Sequence, residues 1–286
     1  MASLKSIGDV INCELNGQVR NYTWRKTPSQ VTTSGLAFDT SMSPGMPPPQ
    51  YYIGSILTAT QLKQSTDGGI YHGPSVAPSE KYIRTLTTTA SASTALPMNA
   101  ILCDYLLFYP FIDEGTTDTQ LMNNSTTLPR YTDGKGVQVM AVATNAGSGG
   151  QRFYFTYTNS NGVSGRTSQI VTMNTSTIVG NILGSNTAIA GASNPFIGLQ
   201  SGDLGVRSIE SVTMLGVDTG LFALVLVKPL LQTCFRGILV PYEKDFLIPT
   251  TDLVKIQDDA FLGFITLPLG TLNATTLTGD LKVIWN

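Results

Sequence analysis

Apolar residues in this chain recur at a period of two, or in short unbroken runs, and rarely at a period of 3.6. The longest run is Leu221–Val227, seven residues with Gly220 before it and Lys228-Pro229 after it. A bilayer-spanning helix needs about 20 apolar residues, so this run predicts a strand buried on both faces. Ile209–Leu215 alternates apolar and polar positions, as a strand covered on one face does. Gly216–Gly220 is expected to close these two strands into a hairpin. Ile101–Tyr109 is the second most apolar stretch and the natural sheet partner of 221–227. Asp104 inside it must be hydrogen-bonded or lie at a strand edge, because an unpaired buried carboxylate is costly.

The same pattern predicts strands over Val10–Leu15 and Val19–Trp24 around an Asn16-Gly17 turn, and over Tyr51–Thr60, Lys81–Ala90 and Val137–Ala143. Phe153–Thr158 alternates aromatic and polar side chains, and Asn161-Gly162 is expected to turn it back towards Gly165–Met173 as a hairpin. Thr233–Pro241, Leu253–Ile256 and Asp280–Trp285 read as further strands, with Tyr242–Phe246 a charged turn and residues 174–200 a loop. Ser43–Pro49 must be extended, since proline fixes φ and lacks an amide donor. The expected fold is all-β: an antiparallel, jelly-roll-like β-sandwich with long loops and an extended N-terminal arm. Residues 1–50 read as arm and strap, residues 51–286 as the sandwich domain, and residues 137–200 as a β sub-domain or an insertion between core strands.

Composition sharpens this picture. Charged residues are 13% of the chain, about half the usual share, while the 28 glycines, 15 prolines and abundant threonine favour strands and turns. A neutral surface that can still hydrogen-bond suits packing against another protein. Net charge is −2 with no Lys/Arg cluster, which argues against direct nucleic-acid binding. The three cysteines, Cys13, Cys103 and Cys234, are too far apart for a disulfide framework and are expected as thiols. Met1–Lys5 lacks the apolar core of a signal peptide, and no run is long enough to span a membrane, so synthesis in a cytosol is expected.

Candidate chemistry is sparse. His72 is the single histidine, expected in a surface loop with no nucleophile elbow to serve. Asp258-Asp259 and Asp113-Glu114 could serve acid–base work, but neighbours on a strand point to opposite faces, and capping or solvated loop tips are the expected roles. Asp67-Gly68-Gly69 and Asp133-Gly134-Lys135 hold too few ligands for calcium, and Gly147–Gly150 has no helix or lysine after it to cradle a phosphate. No catalytic, cofactor or metal residue is assigned. The aromatics Phe153, Tyr154, Phe155 and Tyr157 could form a sugar platform, but at period two they read first as core and cross-strand pairs.

Several phrases carry a resemblance: Ile7–Gln18 with Val10-Ile11 and Glu14-Leu15-Asn16-Gly17; Arg25-Lys26-Thr27-Pro28; Met42-Ser43-Pro44-Gly45; Gln50-Tyr51-Tyr52-Ile53-Gly54; Ile101–Tyr105; Leu128–Gly134; and Arg207–Val212. Together they cover most of the chain, which resembles a family of virion structural proteins of tailed bacteriophages. The resemblance implies a capsid decoration or cement protein on the head surface, mostly β, bound to the major capsid protein and to copies of itself, as a trimer for example. From the composition and the sparse chemistry, no enzyme activity, cofactor, membrane or direct nucleic-acid partner is expected. The alternative is a tail or head-fibre component whose residues 137–200 bind a host glycan through Tyr154 or Tyr157. The residues expected at the interface are Tyr22, Trp24, Arg25, Pro47, Pro48, Pro49, Tyr51 and Tyr52. Deletion of residues 1–26 is expected to leave a folded domain that no longer binds heads.

Overall fold

A computed structural model describes residues 4, 6–184, 195–246 and 253–286. Among the described residues strand accounts for 45% and helix for 6%, and the sheets are antiparallel. The chain begins with helix α1 (Ile7–Leu15) and continues through strands β1 (Val19–Lys26), β2 (Phe38–Asp39), β3 (Lys81–Ala90), β4 (Met98–Asp113), β5 (Gln138–Ala143) and β6 (Arg152–Asn159). β7 (Val206–Met214), β8 (Leu221–Phe235), β9 (Tyr242–Asp245), β10 (Val254–Ile256), β11 (Phe261–Leu267) and β12 (Leu277–Trp285) follow. Shorter paired segments link them.

A central sheet runs β2-β11-β4-β8-β5, with Thr60–Gln61 added along β4. One outer sheet runs β9-β3-β12-β1 and ends on Gly45–Met46, with β10 also on β3. A second outer sheet is built on β6 and β7, with 166–167 and 171–172 on β6 and 120–121 on β7. The expected antiparallel β-sandwich is therefore what forms, with three main sheets where a jelly roll has two.

The length of the central strands explains the extra layer. β4 has 16 residues and β8 has 15, so each is long enough to meet both outer sheets in turn. On β4, Met98, Ala100 and Leu102 pack on the first outer sheet with Trp24, Leu86 and Leu281. Leu107, Tyr109 and Ile112 pack on the second with Phe153, Phe155 and Val212. Side chains alternate along a strand, so Leu102 and Leu106 share a face, and the register shift beside Leu107 keeps the next apolar residues on it. A matching shift between Pro229 and Leu231 does the same on β8. The opposite face, with Tyr105, Phe108, Val225 and Val227, is covered by Ala37, Met42, Tyr52, Leu62 and Ile182.

Several elements differ from the sequence reading, each for a local reason. Val10–Leu15 is helical: Ser6 Oγ accepts from the Asp9 amide while the Asp9 carboxylate accepts from the Ser6 amide, a capping box that starts α1, and Val10 and Cys13 then pack on Tyr82 and Ile284. β7 and β8 are not a hairpin pair. β7 pairs with β6 in an outer sheet, whereas β8 pairs with β4 and β5 in the central one. β8 also runs on through Pro229, which sits at the register shift beyond the end of β5, where a missing amide breaks no ladder. Tyr51–Ala59 is irregular because Tyr52 and Leu57 take positive φ values of 53° and 51°. Tyr242–Asp245 is a strand on β3 and not a turn.

The pairing of 101–109 with 221–227 and the hairpin of 153–158 with 166–172 form as read. Residues 1–50 supply α1, β1 and β2 to these layers, and 138–143 and 152–172 join the central and second outer sheets respectively. Part of the loop read over 174–200 lies outside the described residues. Among the described residues no helix is long and apolar enough to cross a membrane.

Candidate interface

The segment from Ser41 to Leu57 lies across the molecule as a strap with little regular structure, yet polar side chains pin it along its length. The pinning begins at β2, where Asp39 is fully buried. Its Oδ1 accepts from the Ser41 amide at 2.9 Å and from the Tyr105 hydroxyl at 2.8 Å. Its Oδ2 accepts from the Tyr52 hydroxyl, which also lies 3.0 Å from Ser41 Oγ. Burial raises the Asp39 carboxyl above the ordinary carboxylate range, and the hydroxyl and amide donors pull the other way.

Lys26 makes the second anchor. At the end of β1 its ammonium donates to the carbonyls of Ser41, Ser43 and Pro48 at 3.2, 3.0 and 3.3 Å. Burial lowers this amine to about 8, and the charge of Asp39 offsets part of the shift. The Thr27 amide donates to Pro44 O, and the Gln50 amide to Ser41 O. Gly45, at φ +145°, lies so close to the Arg25 carbonyl that no Cβ fits. The Leu57 amide donates to Pro110 O at the far end.

Held this way, the strap turns Tyr52 inward onto Phe108, with ring centroids 5.3 Å apart. Tyr51, Ile53, Ile56 and Met46 point to solvent, with Ile53 72% and Ile56 71% exposed. Because the anchors are buried hydrogen bonds, the backbone that carries these exposed side chains is preorganised, which lowers the entropic cost of docking. Tyr52→Phe removes one donor from a buried carboxylate and is expected to cost about 1–3 kcal/mol. Urea unfolding of the variant beside the parent measures it.

The eight residues expected at an interface divide on burial. Trp24 and Tyr52 are each 1% exposed and cannot touch a partner. Trp24 faces inward from β1 onto Phe264 and Phe235, and Tyr52 is turned in by Asp39. Arg25, Pro48 and Tyr51 are exposed, while Pro47, Pro49 and Tyr22 are half-buried. Tyr22 meets the exposed Tyr71 edge to face at 5.2 Å. Sequence reading missed Met46, Ile53 and Ile56, whose one signal was the placing of aliphatic side chains in a stretch without period.

The remaining candidates resolve into supports. His72 is buried, contrary to the surface-loop expectation: Nε2 donates to Ala260 O at 2.9 Å and Nδ1 accepts from Lys81 Nζ at 3.2 Å. Burial, then the Lys81 charge, depresses His72 to about 4, so it stays neutral near pH 7. Lys81 also donates to Pro74 O and lies 3.5 Å from Asp258. Asp259 accepts from the Ser65 amide and hydroxyl, and Asp258 from Ser75 Oγ, so this pair holds loops. Glu114, read as a solvated loop tip, is buried.

On β6, Phe153, Phe155 and Tyr157 face the core, Tyr157 donates to Asp203 Oδ2 at 2.6 Å, and Tyr154 alone of the four aromatics stays half-exposed on the other face. Cys13, Cys103 and Cys234 are free thiols. A depression of about 370 Å³ is lined by Ile101, Gln138, Phe196 and Pro229–Gln232, with no ionisable side chain. Among the described residues, no group of three or more histidine, cysteine, aspartate or glutamate side chains is placed to hold a metal ion.

No family model matches the chain, and no curated protein matches it. Among solved structures, the VP2 subviral particle of infectious bursal disease virus aligns over 94% of this chain and 81% of its own, at 10% identity and a TM-score of 0.18. The T=1 particles derived from infectious bursal virus align over 94% and 78%, at 8% identity and a TM-score of 0.20. At these TM-scores neither likeness carries an argument about this chain.

Proposed function

We propose that the chain is a non-enzymatic structural protein of a virion, and that it acts by binding other protein surfaces through the ridge of Met46, Tyr51, Ile53 and Ile56. The observation that carries this reading is the ridge itself: aliphatic side chains exposed on a strap whose backbone is fixed by the buried Lys26 and Asp39. Apolar side chains held rigidly in water favour a protein partner over a soluble ligand. The low charge of the chain points the same way. The virion setting rests on the sequence resemblance to tailed-phage structural proteins.

The finer reading is a decoration or cement protein that bridges capsomers on the outside of a phage head. It would bind the major capsid protein and copies of itself. Packaged DNA presses outward, and a bridge of standard size, about 1,600 Å² in total, opposes separation of neighbouring capsomers. For the glycan-binding fibre alternative, burial of Tyr157 leaves Tyr154 as the one aromatic of β6 that reaches solvent.

Ile53→Asp combined with Ile56→Asp tests the ridge. Both side chains are exposed, so the thermal midpoint should stay within about 2 °C of the parent, since surface changes cost little. Binding to heads stripped of this protein should fall at least about tenfold, the loss of about 1.4 kcal/mol or more expected when a charge enters an apolar contact. Unchanged occupancy would exclude the ridge. Recruitment to tail fibres or hits on a glycan array would favour the alternative.

A further inference from the structure

The end of β4 carries a group that neither the fold nor the proposed interface uses. Glu114 is 3% exposed, and its Oε1 has no hydrogen-bond partner. The carboxyl is wedged between two glycines. A Cβ on Gly220 would lie 2.8 Å from Oε1, and one on Gly147 would lie 3.2 Å from Oε2. Two turns meet at this point. The 145–150 turn and the 216–220 turn exchange Ser148 N to Thr219 O at 3.0 Å and Thr219 N to Ser148 O at 3.3 Å. The 216–220 turn closes onto the end of β4, where the Asp218 amide donates to Glu114 O and the Glu114 amide to Gly220 O.

The charged groups that face Glu114 are both acidic: Asp113 from β4 and Asp218 from the 216–220 turn. The ribbon of Gly147–Ser148 with Ser176–Thr177 brings no ionisable side chain. Asp218 is itself committed, accepting from the Gln151 amide at 2.8 Å. An ionised Glu114 would thus be a buried charge with one oxygen unpartnered and like charges beside it, a costly state for a carboxylate. A neutral carboxyl removes the buried charge and the repulsion, and leaves only the smaller cost of an unpartnered neutral oxygen.

We propose that Glu114 is a proton-operated latch. Neutral, it stays seated between Gly147 and Gly220 and keeps the 145–150 and 216–220 turns closed on the end of β4. Ionised, it moves to water and the two turns part. The shift in its acidity agrees: burial first, then the charges of Asp218 and Asp113, raise this carboxyl to about 7. A carboxyl raised in the folded state binds its proton more tightly there than in the unfolded chain. Its contribution is therefore full below the ordinary glutamate value and is lost as pH rises through about 7.

The test compares the full chain with Glu114→Gln, which is neutral at every pH and nearly isosteric. The thermal midpoint of the parent should fall by on the order of 5 °C between pH 5 and pH 8 through this group. Amide exchange at Ser148 and Thr219, corrected for its intrinsic pH dependence, should speed up about tenfold or more over the same range as the turns open. Glu114→Gln should remove this group's share of the thermal fall, leaving what Asp104 contributes, and should abolish the pH-dependent opening at Ser148 and Thr219. Parallel profiles for parent and variant would overturn the proposal.

Asp218→Asn gives a second arm that does not depend on the glutamine variant folding. Removing one like charge should move the parent's transition to lower pH by about half a unit or more. A transition that stays in place would count against the latch.

Discussion

Arg130→Ala is expected to remove about 3–5 kcal/mol of stability at neutral pH, a large part of the roughly 5–15 kcal/mol that holds a domain together. Asp104 lies inside β4 with no exposed surface, and Arg130 grips it bidentately, Nε to Oδ2 at 2.8 Å and Nη2 to Oδ1 at 2.7 Å. The same Nη2 donates to Leu62 O and Tyr105 O at 3.0 Å each. Even with this partner, burial outweighs the arginine and raises the Asp104 carboxyl to about 6. Without Arg130 the carboxylate is buried and unpaired, so it must take up a proton or draw water in.

The loss should therefore shrink towards pH 4, where the lone carboxyl is neutral. Asp104→Leu combined with Arg130→Met, which replaces both charges with apolar bulk, should lie much closer to the parent than either single change. Chemical denaturation of the parent, Asp104→Leu, Arg130→Met and the double variant at pH 4.5 and pH 7 reads the cycle, with Arg130→Ala measured beside them. A small loss at neutral pH for Arg130→Ala would show that the pair is solvated in solution.

Deletion of residues 1–26 should prevent folding, in contrast to what the sequence suggests for a detachable arm. β1 pairs along its whole length with β12 on one side, and at Arg25–Lys26 with Gly45–Met46 on the other. The deletion removes Trp24 from beneath Phe235 and Phe264, and losing a buried Trp side chain alone costs about 3–5 kcal/mol. It also removes Lys26, the anchor of the strap, and bares the edge of β12 to other chains.

Deletion of residues 1–17 is the milder cut. It takes away α1, whose buried residues are Val10 and Cys13, and uncovers Tyr82 and Ile284 while leaving every sheet intact. That chain should stay folded and monodisperse. Circular dichroism and a thermal melt on both truncations check the pair, and a folded 27–286 chain would refute the account of β1.

Where the sequence was legible, the reason was local. The pairing of Ile101–Tyr109 with Leu221–Val227 followed from their being the two most apolar runs, and buried strands seek each other. The 153–172 hairpin followed from alternation on both sides of an Asn-Gly turn. The need for a partner on Asp104 followed from the cost of burying charge, but Arg130 is 26 residues away in a polar loop, and nothing local joins them. α1 was missed because nine residues carry barely two turns of period, and its capping box uses Asp9 where glutamate or glutamine is the familiar third residue. The ridge was half legible: the proline-rich strap drew attention, but which of its neighbours face water depended on Lys26 and Asp39.

By itself the sequence determined that this is an all-β chain of antiparallel strands with scant charge and few reactive groups, because strand period, apolar runs and composition are properties of neighbouring residues. Only the tertiary structure decided that β7 and β8 belong to different sheets, that Trp24 and Tyr52 point inward while Ile53 and Ile56 point outward, and that Glu114 is enclosed. Those outcomes depend on which distant backbone closes over each side chain, and two long strands that each serve two outer sheets leave no mark in local order. Burial is settled by the neighbours a residue meets in space, and for a β-protein most of those neighbours are far away along the chain.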